Sequence, residues 1–160
     1  MKKEQKWDLQ RFIEAQERTY QTALSEIRNG YKASCWMWYI FPNIKGLGQS
    51  STARFYAISC AEEARAYIEH PVLGRRLREI CMALLDVPSN DPTEVMGYID
   101  DYKLHSCMTM FSVVAPEHPI FRVVLNKYFH GERDEETLRL LNYVEVRKGR
   151  ARGACRWVSD

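Results

Sequence analysis

The chain has 160 residues, 46% hydrophobic and 28% charged, the ordinary balance of a globular domain able to bury roughly 70% of its unfolded surface. No apolar run approaches the ~20 residues of a membrane span, and the charged start Met-Lys-Lys-Glu-Gln-Lys lacks a signal peptide's apolar segment, so the cytoplasm is the expected compartment. The net charge of +2 hides an asymmetry: residues 147–160 carry +4 and the rest −2, so basicity belongs to a tail rather than to the body.

Residues 7–28 read as the first helix. Leu9, Phe12, Ile13, Gln16, Tyr20, Ala23, Leu24 and Ile27 recur at the 3.6-residue period, with Asp8 as expected N-cap and Asn29-Gly30 as the left-handed stop. Residues 32–40 hold Trp36 and Trp38 and read as a short buried helix, although Trp-Met-Trp-Tyr-Ile-Phe also has strand propensity. Phe41-Pro42 closes it, and Gly46-Leu47-Gly48 forms a loop. Residues 51–58 read as a short helix with Phe55 and Tyr56 inward. Ser59-Cys60-Ala61-Glu62 has the form of a capping box opening a helix to Glu69. His70-Pro71 breaks it before the next, with its stripe of Leu73, Leu77, Ile80, Cys81 and Leu84.

Further on, Asp91-Pro92-Thr93-Glu94 reads as cap, first-turn proline and N3 acid of a short helix. Asp100 or Asp101 then caps a longer one with Leu104, Cys107, Met108, Phe111 and Val114 inward. Residues 115–119 link it to a helix over 121–129 that stops at His130-Gly131, and Asp134 caps a last helix to about Tyr143. The expectation is an all-α single compact domain of about eight helices over residues 1–146, followed by a basic tail over 147–160.

Several islands resemble one family: Leu-Gln-Arg-Phe-Ile-Glu-Ala-Gln (9–16), Trp-Met-Trp-Tyr-Ile-Phe-Pro-Asn-Ile-Lys-Gly-Leu-Gly (36–48), Phe-Tyr-Ala-Ile-Ser (55–59), His-Pro-Val-Leu-Gly-Arg-Arg-Leu (70–77), Asp-Tyr-Lys-Leu-His-Ser-Cys-Met-Thr-Met-Phe (101–111) and Thr-Leu-Arg-Leu-Leu (137–141). Together they are similar to the bacterial family called domain of unknown function 1810. The resemblance implies a compact, all-α cytosolic protein and no particular activity. Asn43 and Lys45 depart from the Gln and small residue of that pattern, and the basic tail extends beyond its usual end.

Candidate chemistry concentrates in two stretches. Trp36 and Trp38 lie two apart, about 200° round a helix, so one faces the core and one a pocket or interface; simple packing of both is the competing reading. Phe41, Lys45, Gly46, Gly48 and Ser50 follow. A glycine loop before a helix start can hold a phosphate or carboxylate, but Gly-x-Gly lacks the further residues of a dinucleotide or P-loop fingerprint, and a plain tight turn competes. Lys103, Ser106 and Thr109 share one side of a helix and suit an anionic or sugar-like ligand; a solvated edge is the alternative.

The four histidines and five cysteines show no zinc spacing, so neither metal nor cofactor is expected. Cys60 and Cys81 read as reduced core thiols. The expectation is a small-molecule-binding domain, with or without enzymatic activity, for an anionic or nucleotide-like ligand; a non-catalytic protein-interaction domain is the alternative. No membrane contact is expected, and nucleic acid only through the tail.

Overall fold

The computed structural model describes residues 6–145 and 155–157. Its first helix, α1 (Gln10–Arg28), buries Phe12, Gln16, Tyr20, Ala23, Leu24 and Ile27, the stripe its periodicity requires. Leu9 occupies the N-cap with no side-chain bond. Asp8 instead offers its backbone carbonyl to Arg11, which corrects the expected Asp8 cap. At the other end Gly30, at φ 84°, adopts the left-handed conformation that a side chain would strain, and the chain turns away.

Residues 33–36 are not helical, and α2 covers only Met37–Ile40. The cause is Glu26. Its carboxylate accepts from Ala33 N at 2.8 Å, Ser34 N at 3.0 Å, Ser34 Oγ at 2.5 Å and the Trp36 indole at 2.9 Å. The loop's polar groups are satisfied from α1, which removes the need for helical bonds.

The next helix, α3 (Ser51–Phe55), is capped by Ser50, whose hydroxyl accepts from Ala53 N. It stops early because Ile58 is drawn into a parallel bridge with Ile44, with Lys45 N donating to Ile58 O at 2.7 Å and Ile58 N to Asn43 O at 2.8 Å. Phe55 is therefore 57% exposed, not inward as expected. Arg11 donates to the carbonyls of Phe55 and Ala57, both at 2.8 Å, and satisfies the end of the helix.

Helix α4 (Ala61–Glu69) starts one residue later than the expected capping box. Cys60 is at the N-cap, and Glu63 rather than Glu62 reaches back, accepting from Ser59 N and Oγ at 2.8 Å each. Glu63 is buried, and Arg11 balances its charge at 3.1 Å. After His70 comes α5 (Leu73–Asp86). Here Gly74 is obligatory: a Cβ at this position would lie 2.0 Å from the carbonyl oxygen of Ile68, so α4 and α5 meet backbone to backbone.

Asp91 caps α6 (Pro92–Met96) as expected, accepting from Thr93 N at 2.9 Å. Helix α7 (Asp100–Val114) begins without a side-chain cap. Asp100 pairs instead with Lys32, and Asp101 accepts from Thr93 Oγ1 at 2.5 Å, which corrects the expected capping role. Every residue of α7 from Ser106 to Val114 is buried, packed by α4, α6 and two later helices, α8 (Ile120–Phe129) and α9 (Glu135–Leu140). A helix with neighbours on all sides needs no polar face.

The described residues thus form nine helices in an all-α domain around α7. After α9, β1 (Tyr143–Glu145) pairs antiparallel with β2 (Cys155–Trp157), with Tyr143 opposite Trp157. Three residues of the basic tail therefore return to the end of the body, where neither periodicity nor propensity pointed to a strand. The remainder of that tail lies outside the described residues. Among the described residues no helix is long and apolar enough to cross a membrane.

Candidate functional site

The bridge between Ile44 and Ile58 holds the glycine loop beside the start of α7, and Asn43 Nδ2 donates to the carbonyl of Lys103 at 3.0 Å. Between loop, α3 and α7 lies a cavity of about 260 Å³. Trp38, Gly48 and Lys103 all line it, so the two stretches singled out in the sequence converge here. Ile44, Leu47, Ala53 and Ala57 supply aliphatic wall, Tyr56 and Tyr102 aromatic wall, and Ile99 stands at the edge.

Among the described residues Lys103 is the only lining residue charged at neutral pH. Its Nζ sits 5.4 Å from the centroid of the Trp38 ring and 3.7 Å from Asp100 Oδ1. The first is a cation–π distance; the second is too long for a hydrogen bond. Lys32 Nζ takes the other Asp100 oxygen at 2.7 Å. Burial raises the Tyr102 hydroxyl above its ordinary pKa, helped by Asp134 and Glu136; burial also raises that of Tyr56, with Tyr39 and Glu14 reinforcing it against Arg11. Both phenols are neutral donors at pH 7.

The wall also carries a backbone outlier. Ile99 has φ 82° and ψ −51°, a region that β-branched residues avoid at a cost of order 1–3 kcal/mol. The conformation turns the chain sharply from Gly97 into α7 and leaves Tyr98 85%, Ile99 55% and Tyr102 47% exposed beside the cavity.

The other expected site residues lie elsewhere. Trp36 is 1% exposed, its indole bonded to Glu26, and Phe41 is fully buried beside it with ring centroids 6.1 Å apart. Both belong to the core. Gly46, at φ 105°, packs against Leu140, Lys45 is exposed, and Ser50 is occupied as the cap of α3; none lines the cavity. Ser106 and Thr109 are also fully buried. Ser106 Oγ meets Thr137 Oγ1 at 2.6 Å, and Thr109 Oγ1 accepts from Asp134 N at 2.9 Å. They pin α9 to α7 and do not extend the Lys103 side of the pocket, because α7 has no solvated edge beyond its first turn and His105. Tyr56, Tyr102 and Ile99 are wall residues that the sequence reading did not select.

Two broader clefts are more open. One of about 1,090 Å³ runs by His105, Arg122 and Asp134, and one of about 650 Å³ flanks α1 at Arg11, Arg18 and Tyr39. Their size comes with openness to solvent, whereas enclosure and apolar lining are what give a small-molecule site its binding energy. Among the described residues no group of His, Cys, Asp and Glu is placed to hold a metal ion. Cys81 is buried as expected, whereas Cys60 is only partly buried.

Fold and cavity together define an all-α single-domain protein with a small, mainly apolar hollow behind its glycine loop. The chain belongs to the family described as protein of unknown function (DUF1810), whose model matches residues 6–141. It is similar to the crystal structure of the conserved hypothetical protein Rv1873 from Mycobacterium tuberculosis, with 40% identity, a TM-score of 0.84, and coverage of 86% of this chain and 98% of that one. Comparison with curated proteins finds no match.

Proposed function

We propose that the protein binds a small ligand in the Trp38–Lys103 cavity, with an apolar or aromatic body in the hollow and a negative group against Lys103. The observation that supports this reading is the lysine itself. Among the described residues it is the single ionised group in an apolar wall, held over an indole face without a hydrogen-bonding acceptor. A positive group kept at such a place gains most from an incoming anion, since the low-dielectric surroundings strengthen the interaction. Recognition rather than chemistry is the activity proposed, in the cytoplasm of a bacterial cell.

Thermal melting with nucleotides, sugar phosphates and small organic acids tests this. A ligand at one hundred times its dissociation constant stabilises by about 2.7 kcal/mol, roughly 5–10 °C for a chain of this size. At least one anion should shift the wild type and leave Lys103→Ala unmoved. No shift across the panel, or equal shifts in both proteins, would count against the cavity. A second reading, a non-catalytic protein-interaction domain, draws support from the exposed Tyr98, Ile99 and Tyr102. Substituting Tyr98 would then abolish partner capture while leaving small-anion shifts intact.

A further inference from the structure

Among the described residues the net charge at the cavity is a single unit. Asp100 lies between two ammonium groups, Lys32 at 2.7 Å and Lys103 at 3.7 Å, so one carboxylate answers two cations and one positive charge remains. Lys32 is the closer partner, with a side chain only 9% exposed; Lys103 is 25% exposed and lines the hollow. The residual charge is therefore presented to the cavity through Lys103.

That single charge matches a monoanion better than a phosphate. Phosphates carry close to two charges and are typically held by arginine forks, or by a lysine together with several converging backbone amides. Among the described residues no arginine lines this cavity. The glycine loop does not act as a cradle either: Gly46 is backed by Leu140, and Gly48 is packed so closely on Ala53 that a Cβ would lie 2.7 Å from that methyl carbon. Size points the same way, because about 260 Å³ falls below the ~300–1,000 Å³ of sites for drug-sized ligands. One ring, or two fused rings, fits with room to spare, whereas a base, ribose and phosphate together would take up about all of it. The wall is mainly aliphatic and aromatic, with Ile44, Leu47, Tyr56 and Tyr102 around the hollow, which favours a flat, poorly hydrated body.

We propose that the cavity selects a planar aromatic monocarboxylate, with its ring between the glycine loop and α7 and its carboxylate on Lys103, and that it rejects nucleotides and free phosphate. The proposal rests on the small-ligand reading above and narrows it to one chemical class.

Calorimetric titration of the full chain tests it with 3-indolecarboxylate and 2-naphthoate, their carboxamides, AMP and inorganic phosphate as probes. Wild type, Lys103→Met and Leu47→Trp are compared, each first shown to melt cooperatively. Carboxylates should bind at least tenfold more tightly than their carboxamides, and AMP and phosphate should not compete. Lys103→Met should erase the preference for carboxylate while keeping the carboxamide affinity, because it retains the aliphatic stem and removes the charge. Leu47→Trp, which fills the hollow, should abolish binding of every ring probe. Equal affinity for carboxylate and carboxamide in the wild type would overturn the proposal, as would tight AMP or phosphate binding lost in Lys103→Met. The latter result would leave the small-ligand reading standing. Binding of ring probes unaffected by Leu47→Trp would overturn both; no binding of any probe would overturn this proposal, and the wider anion panel above then decides the small-ligand reading.

Discussion

Replacing Glu26 by Gln tests whether one carboxylate organises the approach to the cavity. In the wild type, burial works to raise the Glu26 pKa, but bonds from the Ser34 hydroxyl, the Ala33 amide, the Trp36 indole and the Ser34 amide together hold it from its usual 4.5 down to about 2. Full linkage over that interval amounts to roughly 3 kcal/mol. The carboxylate is partly solvated, so screening reduces this to about 1–2 kcal/mol. The folded pKa is depressed, so the stabilisation is complete above pH about 4.5 and is lost as pH falls towards about 2. Gln keeps one acceptor oxygen and loses the charge. Denaturant unfolding at pH 7 should show Glu26→Gln less stable than wild type by about 1–2 kcal/mol, and the gap should close as pH falls from about 4.5 to 2. A gap of constant size over that range would refute the reasoning, since the stabilisation would not then reside in the ionised carboxylate.

Two further outcomes follow from the helix junctions. Gly74→Ala should destabilise by about 1–3 kcal/mol, the usual range for overpacking, because the added methyl group meets the Ile68 carbonyl oxygen; thermal melting reads this, and a neutral change would show that α4 and α5 can separate freely. His70 Nδ1 accepts from Val72 N at 3.1 Å and Leu73 N at 3.3 Å, and burial lowers its pKa. This contribution is therefore full above pH ~6.5, the unfolded value, and fades as pH drops through the lower folded value. His70→Asn keeps an acceptor but does not titrate, so its melts should lack this dependence; an unchanged dependence would assign it to another group.

The parts of the fold that could be read from the sequence are those whose cause is local. The α1 stripe, the Asp91 cap and the Asp134 cap each need only residues within a few positions of one another. What escaped was decided at a distance. Residues 33–36 avoid a helix because Glu26, on another element, accepts from the Ala33 and Ser34 amides and the Trp36 indole. Glu63 replaces Glu62 in the cap of α4 because Arg11, far back in α1, pairs with it. In α7 a usable signal was available: from Ser106 to Ala115 there is no charged residue, the composition of a helix enclosed on all sides. Weighing that would have placed Ser106 and Thr109 in the interior. The convergence of Trp38, Gly48 and Lys103 was legible only as two dense clusters of unusual residues; neither spacing nor period could show that the Ile44–Ile58 bridge brings them to one hollow.

The bond from Asn43 to Lys103 spans sixty positions of chain, which sets an order of events during synthesis. At about 5–20 residues per second, the ribosome takes roughly 3–12 s to travel from one end of that bond to the other. For that interval the growing polypeptide carries Trp38 and the glycine loop without the helix that forms the opposite wall. The nascent chain thus shows an incomplete aromatic surface for seconds before the site can close, and that is the period in which a chaperone would find it.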